Sequence, residues 1–356
     1  MKRVVLALAP LLLLTGCLFS IVNQPVVLPT GGVVAFVDEQ GAYNLFPEWG
    51  SLVHISSVGE VQTTSLVVDV ECGGLACSND GKELVFLALE TVEPEGSERW
   101  EVRLAGVDEP SCYNTVISSQ DPILDPAFTR DGDVTFLRLD GEDSGTLMLW
   151  GRNTEASSAL LGDVISYKPV LGEDSFIVMR IEREAGANAA VVSRYAIPSG
   201  ESETLASFFL SQTMLESLLA LPAMFFWDFS PLRDSLALAL YDQVLISPQP
   251  EGGDPSLYIV DVASQWAEKI AEVSYAPLFS PSGSLLAYID SGNGEERVVR
   301  VYDERTGETS TAQGVNAVSS LFWIGEETLG LVEEEEDGYR LIKLDLPTGK
   351  LIRLLD

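Results

Sequence analysis

Histidine is almost missing from this 356-residue chain, which has His54 alone. A Ser-His-Asp hydrolase needs an imidazole to take the serine proton, and His54 stands in "SLVHISS", a stretch that reads as a strand and gives it a structural role. No G-x-S-x-G elbow occurs, because "GEDSG" from Gly141 places its serine one position late. Metal-ligating clusters of His and Cys, the phosphate-cradling G-x-x-x-x-G-K-[ST] and the dinucleotide G-x-G-x-x-G are absent too, so neither metal nor cofactor is expected. Positive charge is scarce: 21 Lys and Arg stand against 54 Asp and Glu, a net charge of −33. Such a field repels phosphate backbones, and no nucleic-acid partner is expected.

Long apolar runs are lacking as well. The run at the start, Val4 to Leu14, is too short to cross a bilayer as a helix. Preceded by Lys2 and Arg3, it has the charge and length of a secretory leader. Leu14-Thr15-Gly16-Cys17 follows it and resembles the bacterial lipobox, in which the cysteine is diacylated and becomes the new N-terminus. The resemblance implies a signal peptide over 1–16, lipidation at Cys17, a tether over 17–27 and a folded domain over 28–356. Two acyl chains anchor stably where one does not, so the membrane is a partner through the lipid. The expected location is the bacterial cell envelope, on the extracytoplasmic side. Residue 18 is Leu and not Asp, which permits an outer-membrane or outer-surface site.

Cysteine is sparse, at four. With Cys17 acylated, Cys72, Cys77 and Cys112 remain, enough for one internal disulfide in an oxidising compartment. Gly73-Gly74 could bend the chain to join Cys72 to Cys77. A straight strand would instead hold them roughly 16 Å apart at about 3.3 Å per residue.

What the sequence does have is a repeated phrase. "FSPSGSLLAYI" from Phe279 is echoed by "CSNDGKELVFLA" from Cys77, "FTRDGDVTFLR" from Phe128, "FSPLRDSLALAL" from Phe229 and "FWIGEETLGLV" from Phe322. Fainter copies are "LPTGGVVAFVD" from Leu28 and "PVLGEDSFIVMR" from Pro169. A spacing of roughly 40 to 60 residues signals structural repeats. Each copy reads as strand, Gly- and Asp-rich turn, strand, with two more strand-like runs behind it. Four short strands cannot bury both faces alone, and stacking such sheets around an axis buries them. The expected fold is all-β, a seven-bladed β-propeller, with six or eight blades as alternatives. One segment breaks the pattern: over 203–226, Leu205, Phe208, Phe209, Leu215, Leu218 and Leu219 have roughly helical spacing, which predicts an inserted helix.

The phrase resembles the WD40-like "FSPDGxxIAF" repeat of TolB-type propellers, which also occurs in the propeller domains of prolyl-oligopeptidase-type peptidases. The resemblance covers nearly all of residues 22–356. It implies protein contacts in the cell envelope. Such peptidases carry their catalysis on a separate hydrolase domain, for which these residues leave no room, so that activity is not carried over.

In the expected fold the second turn of every repeat lies on one face. These turns hold Asp38, Glu39, Asp140, Glu142, Asp143, Asp290, Glu295, Glu296, Glu333, Glu334, Glu335, Glu336 and Asp337, a negative rim suited to a basic protein segment or weakly held divalent cations. The reading is a non-catalytic, membrane-anchored binding module or scaffold that engages a protein partner through this face. Two alternatives stand beside it: a carbohydrate-active or other enzyme using carboxylates in the propeller channel, and a solute-binding lipoprotein.

Overall fold

In three of its copies the recurring phrase folds into a similar turn. In "FSPSGSL" the Ser280 N–H donates to the Leu285 carbonyl at 2.8 Å and the Gly283 N–H donates back to the Ser280 carbonyl at 2.7 Å. Ser78 with Glu83 and Gly81, and Thr129 with Asp133 and Gly132, make the same two bonds. Gly81, Gly132 and Gly283 have φ of 73°, 85° and 69°, a left-handed backbone that a side chain resists. That requirement explains why glycine recurs where it does.

The computed structural model describes residues 23–37, 43, 50–56, 61–68, 71–92, 97–108, 112–140, 144–170, 173–184, 187–210, 227–230, 234–241, 255–264, 266–291, 297–315, 318–335 and 338–355. Among these there are 27 strands and no helix. The first sheet is β1 (Val26–Val27), β2 (Val33–Val37), β3 (Gly50–Ile55) and β4 (Val61–Val68). The second is β5 (Glu71–Cys77), β6 (Glu83–Val92), β7 (Ser97–Gly106) and β8 (Asn114–Ser119). A seven-stranded sheet follows, of β9 (Ile123–Phe128), β10 (Val134–Leu139), β11 (Gly145–Gly151), β12 (Ala156–Pro169), β13 (Ser175–Glu184), β14 (Ala187–Ala196) and β15 (Ser202–Leu210). Its long β12 pairs first with β11 and then with β13, ending one four-stranded meander and starting the next.

Three more sheets complete the described chain. They are β16 (Trp227–Ser230), β17 (Ser235–Tyr241), β18 (Pro255–Asp261) and β19 (Trp266–Ala271); β20 (Ser274–Phe279), β21 (Leu285–Asp290), β22 (Val298–Asp303) and β23 (Glu308–Thr311); and β24 (Val318–Gly325), β25 (Thr328–Glu335), β26 (Gly338–Asp345) and β27 (Lys350–Leu355). All the described ladders are antiparallel between consecutive strands, so each meander is built from local sequence.

The core lies between the sheets. Val34, Phe36 and Leu52 of the first pack on Leu84 and Phe86 of the second, with the Phe36 and Phe86 rings edge-on at 5.4 Å. Trp100 and Val102 meet Phe136, Met148 and Trp150, and further clusters join each later meander to its successor. One cluster joins the last sheet to the first, placing Phe322, Val332 and Leu341 against Val33, Val37 and Tyr43. No strand ladder spans that seam among the described residues. Only isolated bridges from Tyr43 to Val37 and Tyr339 do.

Three expectations are corrected. The fold starts before residue 28: Val26 pairs with Val34, and buried Asn23 donates through Nδ2 to the Phe36 carbonyl at 2.9 Å, so 23–27 is not tether. The helix over 203–226 is a strand in its first part. Ser202–Leu210 pairs with β14, and a bulge opposite Val192 and Ser193 turns both Leu205 and Ala206 inward, a break in alternation that imitates helical spacing; 211–226 lies outside the described residues. Cys72, Cys77 and Cys112 are not joined by a disulfide. Cys72 pairs with Ala88 and Cys77 with Leu84 along one extended strand, too far apart for the Cα separation of about 4.4 to 6.8 Å that a disulfide needs. No helix among the described residues is long and apolar enough to cross a membrane.

Candidate functional site

Just before the turn, each meander's first strand has a residue that pairs with the second strand one step inside the turn. In most meanders it is apolar, as in Ala76, Ala127 and Leu278. In two neighbouring meanders it is charged: Lys168 opposite Ile177 and Asp228 opposite Ala237. These two meet. Lys168 Nζ donates to Asp228 Oδ1 at 2.6 Å, and Asp228 Oδ2 accepts the Phe279 N–H of the following sheet at 2.7 Å. One buried carboxylate thus ties three meanders together, and both its oxygens are engaged. The ammonium also lies 5.2 Å from the Trp227 ring centre, within range of a cation–π attraction, and Trp227 Nε1 donates to Ser166 Oγ at 3.3 Å.

Asp125 adds a second carboxyl, from β9. The register slips there between Thr135 and Leu137, and Asp125 takes φ of 49°, a left-handed conformation that aspartate tolerates better than most residues. Tyr167 donates its hydroxyl to the Asp125 carbonyl. The bulge re-aims the side chain. Asp125 is reached by solvent, and neighbouring protein nonetheless takes much of the water from its carboxyl. Burial pushes its carboxyl up to about 6, against a weaker downward pull from Lys168.

The sequence-predicted acids fare differently. Asp38, Glu39, Glu142, Asp143, Glu295, Glu296, Glu336 and Asp337 lie outside the described residues, as does Cys17. Asp140 is exposed, accepts Thr146 Oγ1 at 2.7 Å and stands 3.9 Å from Arg138. Asp290 is buried and bonded to Arg300. Glu333 is bonded to Arg340, whose Nη1 also meets Glu335 at 2.6 Å, and Glu334 stands 3.7 Å from Arg297. Where described, the rim acids stand beside arginines, Asp290, Glu333 and Glu335 across a strand ladder. The described residues include no group of three or more His, Cys, Asp or Glu placed to hold a metal. His54 pairs with Val34 and Gln62 and its ring closes over Gly32, where a Cβ would come within 2.7 Å.

Comparison with known proteins bears on the fold. No family model matches the chain, and no curated protein matches it. The β-propeller domain of the Trilobed protease from Pyrococcus furiosus superposes with a TM-score of 0.64 over 95% of this chain and 98% of that one, at 14% identity. The fold is that of a β-propeller. An oligogalacturonate lyase in complex with manganese follows at a TM-score of 0.57 and 13% identity, over 94% and 85%. TolB from Acinetobacter baumannii covers 86% and 75% at 12% identity with a TM-score of 0.48, too distant to argue from.

These comparisons correct the reading of a non-catalytic scaffold. The similar structures are mostly enzymes: oligogalacturonate lyases, and an acylaminoacyl peptidase, a puromycin hydrolase, a dipeptidyl peptidase 4 and prolyl endopeptidases, of whose lengths the chain spans about half. At such identities the likeness carries the fold and no residue's role. It removes the ground for treating this propeller as inert.

Proposed function

We propose that the chain is a carbohydrate-active enzyme whose chemistry sits at Asp125 and Lys168, in the channel of a ring of seven blades. The ring reading rests on seven four-stranded meanders and on shared cores between successive meanders, last to first included. The observation that carries the function is a solvent-reached carboxyl raised to about 6 beside a fixed ammonium. A general base works best with a pKa near the working pH.

Asp228 has no free oxygen, so a mechanism with two reacting carboxyl groups lacks its second member. One base and one cation suit proton abstraction next to a carboxyl or carbonyl group. Asp125 takes the proton next to the carboxyl group, Lys168 stabilises the charge that develops on the carboxyl oxygen, and the bond from the adjacent carbon to the glycosidic oxygen then breaks to leave a carbon–carbon double bond, the departing oxygen taking back the proton that Asp125 accepted. Asp228 is a positioning residue that holds Lys168. The lyase of similar fold acts on an oligogalacturonate, as its name states, which favours elimination on an acidic sugar. The net charge of −33 repels such a substrate at long range, so its KM should fall as salt rises.

The test is a panel of uronic-acid oligosaccharides followed by the ultraviolet absorbance of an unsaturated product. Asp125→Asn should abolish turnover and Lys168→Met should lower kcat by more than about a hundredfold, about 2.7 kcal/mol or more of charge stabilisation. Turnover that survives Asp125→Asn would place the chemistry elsewhere. Lipid attachment at Cys17 and an envelope location belong to the same proposal, supported by the Leu14–Cys17 motif. Metabolic labelling with an alkynyl fatty acid, lost in Cys17→Ser, checks them.

A further inference from the structure

Away from the channel, two cavities open side by side between the second and third meanders. One, of about 630 Å³, is lined by Glu83, Asn114, Val116, Trp150, Arg152 and Glu155. The other, of about 320 Å³, is lined by Val116, Ser118, Phe136, Arg138, Met148 and Ser157. Val116 borders both, so the pair forms one groove along β8. Among the described residues that strand ends its sheet and is bonded to β7 alone, which leaves its outer backbone edge without a strand partner there. A strand added outside β8 would send alternate side chains into the two cavities.

The groove ends differ in charge. Arg152 is held by Glu83 through two bonds, at 3.0 and 2.8 Å, so the exposed Glu155 sets the sign at its end. At the other end Arg138 is positive. Its Nε has no hydrogen-bond partner, and Asp140 approaches no nearer than 3.9 Å. Phe136 is 2% and Trp150 7% exposed, which leaves no open ring face to stack a sugar.

We propose that this groove binds an extended peptide as an added strand on β8, with an acidic side chain toward Arg138 and a basic one toward Glu155. The site is separate from the channel and does not depend on it.

Fluorescence anisotropy with four labelled heptapeptides tests it: alternating Val and Thr with Lys first and Glu last, the same with the ends exchanged, and an N-methylated copy of each that cannot pair its backbone. One charge order should bind at least tenfold more tightly than the other, and its N-methylated copy should not bind. Arg138→Ala should weaken binding at least fivefold. Ser157→Trp, at an exposed position, should fill the smaller cavity and abolish binding with the melting temperature unchanged. Asp125→Asn should bind the peptide as the unaltered chain does, whatever it does to turnover. Equal binding of the N-methylated peptide, or wild-type binding by both groove variants, would overturn the proposal, and so would failure of both charge orders to bind at millimolar concentration.

Discussion

Replacing Asp228 with alanine removes the one group that bonds at once to Lys168, at 2.6 Å, and to the Phe279 N–H, at 2.7 Å. The amide is left buried without an acceptor, which costs about 1 to 3 kcal/mol. The ammonium loses its counter-charge. Breaking a fully buried pair costs roughly 3 to 5 kcal/mol, but the Lys168 side chain keeps 27% of its exposure, so water recovers part of that. A total of about 3 kcal/mol follows, on the order of 5 °C in melting temperature for a domain of this size. Asp228→Asn keeps an acceptor for the amide and loses only the charge, so it should cost about half as much. Urea unfolding of Asp228→Ala, Lys168→Met and the double variant gives the coupling energy, expected at about 1.5 kcal/mol or more. Coupling indistinguishable from zero would refute the claim that the two side chains form one clasp.

Asp125 titrates near 6 in the folded chain, above its ordinary value of 3.8. The stability that its proton contributes is therefore full below about pH 4 and lost as pH rises through 6; Asp125→Asn should flatten that part of the pH–stability curve, which thermal melts at pH 4 to 7 would record. At the seam, a Cβ on Gly330 would come within 2.2 Å of the Phe322 ring, so Gly330→Ala should cost about 1 to 3 kcal/mol by overpacking and speed amide exchange in β1, β2 and β24 before the other sheets. Among the thiols, Cys112 is exposed, Cys72 is buried and burial pushes Cys77 up to about 11. A thiol reagent should titrate Cys112 quickly in the folded protein and reach the other two only in denaturant; rapid native labelling of Cys77 would contradict its placement.

The turn phrase was legible because its chemistry is local: Gly81, Gly132 and Gly283 take nearly the same positive φ in three copies, and the spacing of the phrase announces the repeat. Glu203–Leu210 misled because a bulge in β15 put Leu205, Ala206 and Phe208 on a spacing shared by helix and strand. The ion pairing of the described rim acids was not legible for a different reason. Asp290, Glu333 and Glu335 meet Arg300 and Arg340 across a ladder, and that register is fixed only when the strands pair. The Lys168–Asp228 contact was missed, although one signal was present: the two stand charged at a position of the repeat that holds Ala76, Ala127 and Leu278 in other copies. That the two touch, with Asp125 beside them, depends on the packing of sheets far apart in the chain.

The most direct test of the proposed chemistry is a carbon-13 NMR titration of the Asp125 carboxyl in the full chain, alone and with Lys168→Met. A midpoint near pH 6, moving higher when the lysine charge is removed, is the result predicted. A midpoint near 4 that ignores the lysine would contradict it.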